Sequence, residues 1–174
     1  NFDISFIPTT HSIPEPTAIV IKTTYGSLLH TADWKIDHSP TLGNSFSKEK
    51  FEKLGNDGLL ALIGDSTNAN VMGNSGSEKS IEKGITKYIK NYKGRIFITM
   101  FASNVERILT LIRLAKENHR EVGLIGRSMW RMTNAAEEVG YLDKKAGLLN
   151  DRSLRNLEDN KFLAICTGSQ GEPL

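Results

Sequence analysis

The chain has 174 residues, 39% of them hydrophobic and 24% charged, the make-up of a globular protein with room for one domain or for one and part of another. A net charge of +2 excludes nucleic-acid binding by bulk charge, so any polyanion contact must use a local patch. The apolar runs are strand-sized, which excludes a membrane-spanning segment, and the single Cys166 excludes an intramolecular disulfide framework. With no signal peptide in view, a cytoplasmic protein is expected. A start at Asn1 without Met and an end at Leu174 directly after a Gly-rich run are what a piece of a longer protein would show.

In chain order, Ile4–Pro8, Thr17–Thr24 and Ser27–Thr31 read as strands, with Tyr25-Gly26 turning the second into the third. Pro8, Pro14 and Pro16 bracket a loop that carries His11. Ser47 is placed to cap a short helix over Lys48–Leu54, with Gly55 as its stop. Leu59–Ile63 is almost wholly apolar, the pattern of a strand covered on both faces. From Glu78 to Tyr92 the residues Ile81, Ile85, Tyr88, Ile89 and Tyr92 share one helical stripe. Strands at Ile96–Phe101, Val122–Ile125 and Phe162–Cys166 then alternate with helices at Asn104–Asn118 and Ser128–Val139. Such alternation predicts an α/β fold with a mostly parallel sheet. A division near residue 70 separates a β-rich front, 1–70, from an α/β back, 71–174.

Two kinds of chemistry suggest themselves. His11 and Asp33 each follow a strand-like run, which places an imidazole and a carboxylate at strand ends where a metal could bind. Equally, His11 could be a loop histidine bonded to backbone and Asp33 a turn former. His30 lies three residues before Asp33 and is expected to face away from it, and His38 and His119 sit among polar residues. In parallel α/β sheets ligands gather at the carboxyl ends of the strands. Four polar loops fall there: Asp65–Asn70, Phe101–Asn104, Gly126–Ser128 and Thr167–Gly171. Helix N-termini and Arg107 or Arg127 could hold phosphate in such loops. Ser103, Asn104 and Ser128 would also serve simply as helix caps. Cys166 and the two tryptophans, Trp34 and Trp130, read as packing residues. The lysines of the Glu78–Lys93 stretch read as a solvated face, with a polyanion track as the other possibility.

Taken in order, six peptides carry a resemblance: Thr10–Pro14, His30–Asp37, Asp65–Ala69, Thr99–Asn104, Gly126–Met129 and Cys166–Pro173. Together they resemble ribonuclease J, a bacterial nuclease family with a metallo-β-lactamase fold and an inserted β-CASP domain. The family commonly has Gly-Asp-Phe-Lys where this chain has Ala32-Asp33-Trp34-Lys35, which leaves the carboxylate in place. The resemblance implies part of a metallo-β-lactamase β-sheet layer over 1–70, followed by a Rossmann-like β-CASP parallel α/β sheet over 71–174. It implies a zinc-dependent ribonuclease, acting in mRNA decay and rRNA maturation, in which two metals activate a hydroxide against an RNA phosphodiester.

On that resemblance His11 and Asp33 are metal ligands, Asp33 bridging two zinc ions, and Asp65 is an acid near the metal centre, so that Asp33 and Asp65 are the catalytic residues. Ser103, Asn104, Arg127, Ser128, Gly168 and Ser169 would face single-stranded RNA. The family's His-x-His-x-Asp-His motif is expected before Asn1 and its later histidines after Leu174. This segment alone is therefore expected to be inactive, and the parent protein to be a homo-oligomer. A reading from another class is a non-catalytic module that binds a nucleotide or phosphosugar without metal. A third is a sequence-nonspecific RNA-binding fragment, whose affinity would fall steeply with salt.

Overall fold

The computed structural model describes residues 1–144 and 146–168. The chain divides into two compact units, Asn1–Lys79 and Ser80–Leu174.

The first unit is built on a four-stranded sheet in the order β1-β2-β3-β4. Its strands are β1 (Asp3–Pro8), β2 (Thr17–Thr23), β3 (Gly26–His30) and β4 (Ala61–Ile63). β1 and β3 both run antiparallel to β2, and β4 adds to β3 in parallel. Alternation sorts the side chains into two faces. Ala18, Val20 and Leu29 are buried on one face, where Phe51, Leu54 and Leu59 close over them. Phe51 and Leu54 belong to helix α1 (Lys48–Asp57). That helix runs past Gly55 and stops at Gly58, whose φ of 87° favours a residue without Cβ. Ser47 precedes α1 but does not cap it through its side chain; its hydroxyl meets Glu49 Oε2 at 2.9 Å.

The Leu59–Ile63 run departs from expectation. Only Ala61–Ile63 form a strand, and Leu62 and Ile63 are 62% and 52% exposed. The run reads as a doubly covered strand because it is continuously apolar, yet among the described residues β4 lies at the edge of its sheet and pairs with β3 only.

The second unit carries a fully parallel three-stranded sheet in the order β5-β7-β6, formed by β5 (Ile96–Thr99), β6 (Glu121–Ile125) and β7 (Phe162–Cys166). Helices α2 (Glu78–Asn91), α3 (Val105–Glu117) and α4 (Arg127–Glu138) alternate with these strands, as the sequence predicts. β7 occupies the middle position, and Phe162, Leu163, Ala164 and Ile165 are all buried, the reason for its unbroken apolar run. Ile108, Leu111, Leu114 and Ala115 of α3 pack with Val122, Leu124, Leu163 and Ile165 into the main core. Of the apolar stripe on α2, Ile89 is buried, whereas Tyr88 and Tyr92 are 75% and 55% exposed.

Two elements escape the sequence reading: α5 (Asp151–Arg155) and a 3₁₀ turn at Asp159–Lys161. Each is too short to show a period. α5 earns its place through Leu154, which lies against Gly123 of β6. A Cβ at Gly123 would come within 2.2 Å of Leu154 Cδ1 and 2.8 Å of the Leu149 carbonyl.

Candidate functional site

Topology decides which residues of the first unit can meet. Because β1, β3 and β4 all run the same way, their carboxyl ends share one edge of the sheet. His11 follows β1, Asp33 follows β3 and Asp65 follows β4, so these residues lie along that edge.

Hydrogen bonds tie the three segments together. The Lys35 N–H donates to the Thr10 carbonyl at 2.8 Å, and the Thr10 hydroxyl donates back to the Lys35 carbonyl. The same hydroxyl accepts the Asp37 N–H at 3.1 Å. β3 and β4 continue their pairing through the Thr31 N–H and the Ile63 carbonyl, 3.0 Å apart. The Thr31 hydroxyl then accepts the Asp65 N–H at 3.1 Å. Threonines thus serve twice as the joints between the loops that carry His11, Asp33 and Asp65.

The Asp65 carboxylate accepts the Thr67 N–H at 2.8 Å, an Asx turn. Its pKa is held below the usual carboxylate range by the Thr67 backbone and side-chain hydrogen bonds first, then by the Trp34 N–H and the charge of His11. Asp65 is therefore ionised at neutral pH. His11 is half-buried, with Ser12 Oγ 3.2 Å from its Nδ1. Asp33 is exposed. His30 stays out of the group: its Nδ1 accepts the Ala32 N–H at 3.1 Å.

Asp33 follows an unusual backbone. Ala32 has φ of 53°, in the left-handed region where a Cβ crowds the following carbonyl. Glycine relieves that crowding. Ala32→Gly is expected to raise stability by about 1 kcal/mol, seen as a higher denaturant midpoint. A midpoint that falls would mean that this turn is not under strain.

Whether these donors suit zinc can be judged from the side chains. Among the described residues, no three His, Cys, Asp or Glu side chains are grouped so as to hold a metal ion. Structural and catalytic zinc sites take three or more protein ligands per ion. The described residues therefore do not fit a complete site. His11 and Asp33 offer donors of the right chemistry for a share of one.

The second unit repeats the edge arrangement in a parallel sheet, where β5, β6 and β7 all end on the same side. The Met100 N–H donates to the Cys166 carbonyl at 3.0 Å, and the Thr167 N–H to the Ile125 carbonyl at 3.3 Å. Gly126 has φ of 112°, which favours glycine, and a Cβ there would lie 2.4 Å from Thr167 Oγ1, so the loops after β6 and β7 approach closely at this residue. Arg127 and Ser128 stand exposed on the first turn of α4, and Ser103 and Gly168 are exposed beside their strand ends.

The helix-cap reading holds for one residue of the three. Asn104 is 5% exposed and caps α3, its side-chain oxygen accepting the Arg107 N–H at 2.9 Å. That oxygen is committed to the helix. At α4 the cap position belongs to Gly126, not Ser128, and among the described residues no side-chain cap is present there. Ser169, Gln170 and Gly171 lie outside the described residues. Burial pushes the Cys166 thiol up, which keeps it protonated and unsuited to nucleophilic attack. Trp34 lies with its ring centroid 6.1 Å from that of Phe46, and Trp130 packs against the main core, as expected of packing residues.

Two polar residues of structural weight are missed by the sequence reading. Asp37 is 1% exposed. It accepts the Ser39 N–H at 2.8 Å and the Glu78 N–H at 3.1 Å, and pairs with Lys35 Nζ at 3.4 Å. Burial alone would raise its pKa, but the hydrogen bonds from Ser39, Ser77 and Glu78 and the charge of Lys35 outweigh burial and lower it. An Asp followed by Ser39 and Pro40 is a turn signature that could have marked it. The other, Arg120, carried no local signal; it is 4% exposed and donates to backbone carbonyls of Tyr92, Gly94 and Phe162.

Comparison with known proteins bears on both units. Residues 93–174 match the family described as ribonuclease J, β-CASP domain. Over 172 residues, 99% of the chain, it is 41% identical to a ribonuclease J of Sinorhizobium meliloti, of which it covers 30%. It is 38% identical to ribonuclease J of Synechocystis over its whole length, covering 27% of that protein. It is also 38% identical to ribonuclease J of Thermus thermophilus over 99% of the chain, covering 30% of that relative. The chain thus spans somewhat under a third of the length of these curated relatives. Among solved structures, a protein of unknown function from Enterococcus faecalis V583 shares the fold with a TM-score of 0.64 at 13% identity, over 97% of this chain and 42% of that one.

Proposed function

Since this chain belongs to the ribonuclease J family, with residues 93–174 matching its β-CASP domain, we propose that the segment supplies part of the catalytic centre of a zinc-dependent enzyme that hydrolyses RNA phosphodiesters. The observation that carries this reading is the shared sheet edge, where the Asp65 N–H donates to the Thr31 hydroxyl just before Asp33 and the Asp65 carboxylate lies in the field of His11. A metal-free nucleotide- or phosphosugar-binding module would have no use for that convergence.

In this reading His11 and Asp33 are ligands within a two-zinc shell completed by residues outside the segment. Zinc so bound would supply a nucleophile at neutral pH and neutralise charge on the phosphate. Asp65, ionised and fixed by its Asx turn, orients the groups around it; its place is that of a carboxylate that holds a proton acceptor in position. In the second unit, exposed Ser103, Arg127, Ser128 and Gly168 form the face toward single-stranded RNA, a role the family resemblance also gives to Ser169, which lies outside the described residues. Arg127 and the uncapped N–H groups of α4 suit a phosphate. Asn104 acts there through the turn it caps. The segment by itself is inactive because the donors among its described residues do not complete a metal shell. The intact protein works as a cytoplasmic homo-oligomer in RNA processing, and no helix among the described residues is long and apolar enough to cross a membrane.

Asp65→Ala tests the assignment. In the intact protein it is expected to lower RNA turnover by about a hundredfold with RNA affinity changed by less than about threefold. Single-turnover kinetics beside equilibrium binding separates the two quantities. Weakened binding with turnover intact would overturn the role given to this carboxylate.

A further inference from the structure

α2 carries a second feature that the proposed site leaves unused. Lys79, Lys83, Lys87 and Lys90 recur at spacings of three and four, which places them on one face of the helix. Lys93 follows just past its end. All five are exposed, and none forms an ion pair among the described residues. Neighbouring acids do not relieve them. Glu78 pairs with Lys35 at 3.4 Å, and Glu82 with Arg113 at 2.8 Å.

The contrast with the rest of the surface is informative. Lys48, Lys53 and Lys161 each have a carboxylate partner three or four residues away. Like charges at such spacings weaken a helix, so the α2 stripe does not serve folding. Nor does burial explain it: Ile85 and Ile89, on the far side of α2, are the residues that meet the core. In a chain with a net charge of only +2, this is a local concentration of uncompensated positive charge. From Lys79 to Lys90 it runs about 17 Å at the rise of an α-helix, long enough to follow several phosphates of one strand.

We infer that the lysine face of α2 is a track for the sugar–phosphate backbone of single-stranded RNA. This rests on the reading of RNA as the substrate and extends it to residues outside the proposed site. Contacts of this kind carry no base sequence; they add affinity that depends on counterion release, with a logarithmic salt slope of about 0.7 per contact on a single strand.

The test is the triple variant Lys83→Gln, Lys87→Gln, Lys90→Gln in the intact protein, with a phosphorothioate oligouridylate as the probe. Glutamine keeps the helix propensity of lysine at these exposed positions. Affinity at about 0.1 M salt is expected to fall about a hundredfold, and the salt slope to become shallower by about 2. The charge-preserving triple Lys→Arg variant is expected to keep both. A wild-type protein that cleaves RNA, with a salt slope unmoved by the glutamine variant, overturns the track and leaves the nuclease reading standing. A wild-type protein with no affinity for RNA overturns both.

Discussion

Asp33→Ala in the intact protein is expected to lower RNA cleavage by about a thousandfold or more while leaving the fold in place. The size follows from the role proposed for the carboxylate. A carboxylate that would hold catalytic metal would govern several kcal/mol of transition-state charge stabilisation, and about 4 kcal/mol corresponds to about three powers of ten. The retention of fold follows from the structure. Asp33 is exposed and lies outside the buried clusters, and the bonds that lock its loop run from Thr10 and Thr31 rather than from its own side chain. A stability change within about 0.5 kcal/mol is expected, the range of surface substitutions. Elemental analysis after dialysis, made on wild type and variant, should show zinc in the first and a deficit in the second. Wild-type turnover in the alanine variant would end the assignment. Zinc in neither protein would favour the metal-free binding module.

The largest expected effect on stability lies at Arg120. Arg120→Met should destabilise the protein by about 3 kcal/mol, read as a lower midpoint in denaturant with an unchanged slope. One guanidinium nitrogen of Arg120 meets the carbonyls of Gly94 and Phe162, each at 3.0 Å, and the other meets that of Tyr92. These carbonyls belong to the turn into β5 and to the first residue of β7, so a single side chain satisfies the amino-terminal end of the parallel sheet. Burial lowers its pKa, and no carboxylate pairs with it among the described residues. Methionine replaces the aliphatic stem but leaves the carbonyls without donors, and each unsatisfied buried group costs about 1–3 kcal/mol. Arg120→Lys, which keeps the charge and some of the donors, should recover about half of the loss. A methionine variant within about 1 kcal/mol of wild type would show that water replaces the guanidinium at no cost.

Neither residue could have been ranked from the sequence in the same way. Asp33 stood out because it follows a strand-like run and sits in a peptide with a family resemblance. Arg120 follows a surface histidine and precedes a strand, a place where arginines are usually solvated. Its importance depends on α2, β5 and β7 arriving at one point, and no local pattern encodes that arrival. Asp37 is similar. It lies in the same quoted peptide as Asp33, yet its role is to accept the Glu78 N–H from the far end of the unit's sequence.

What the sequence determined alone was whatever repeats with the period of the backbone. The three helices between the strands of the second unit, the buried middle strand Phe162–Cys166 and the hairpin at Tyr25-Gly26 follow from periodicity, apolar runs and turn residues, which are local. In the first unit the pairing of β1 and β4 was left to the tertiary structure, and that pairing is what sets β1, β3 and β4 running the same way and gathers His11, Asp33 and Asp65 on one edge. The tertiary structure also made Leu59–Ile63 a short edge strand despite its apolar run, because coverage depends on neighbours rather than composition. It put glycine at Gly123 and Gly126, where Leu154 and Thr167 leave no room for a Cβ. A period is a property of one segment, whereas proximity is a property of several, and the site is made of proximity.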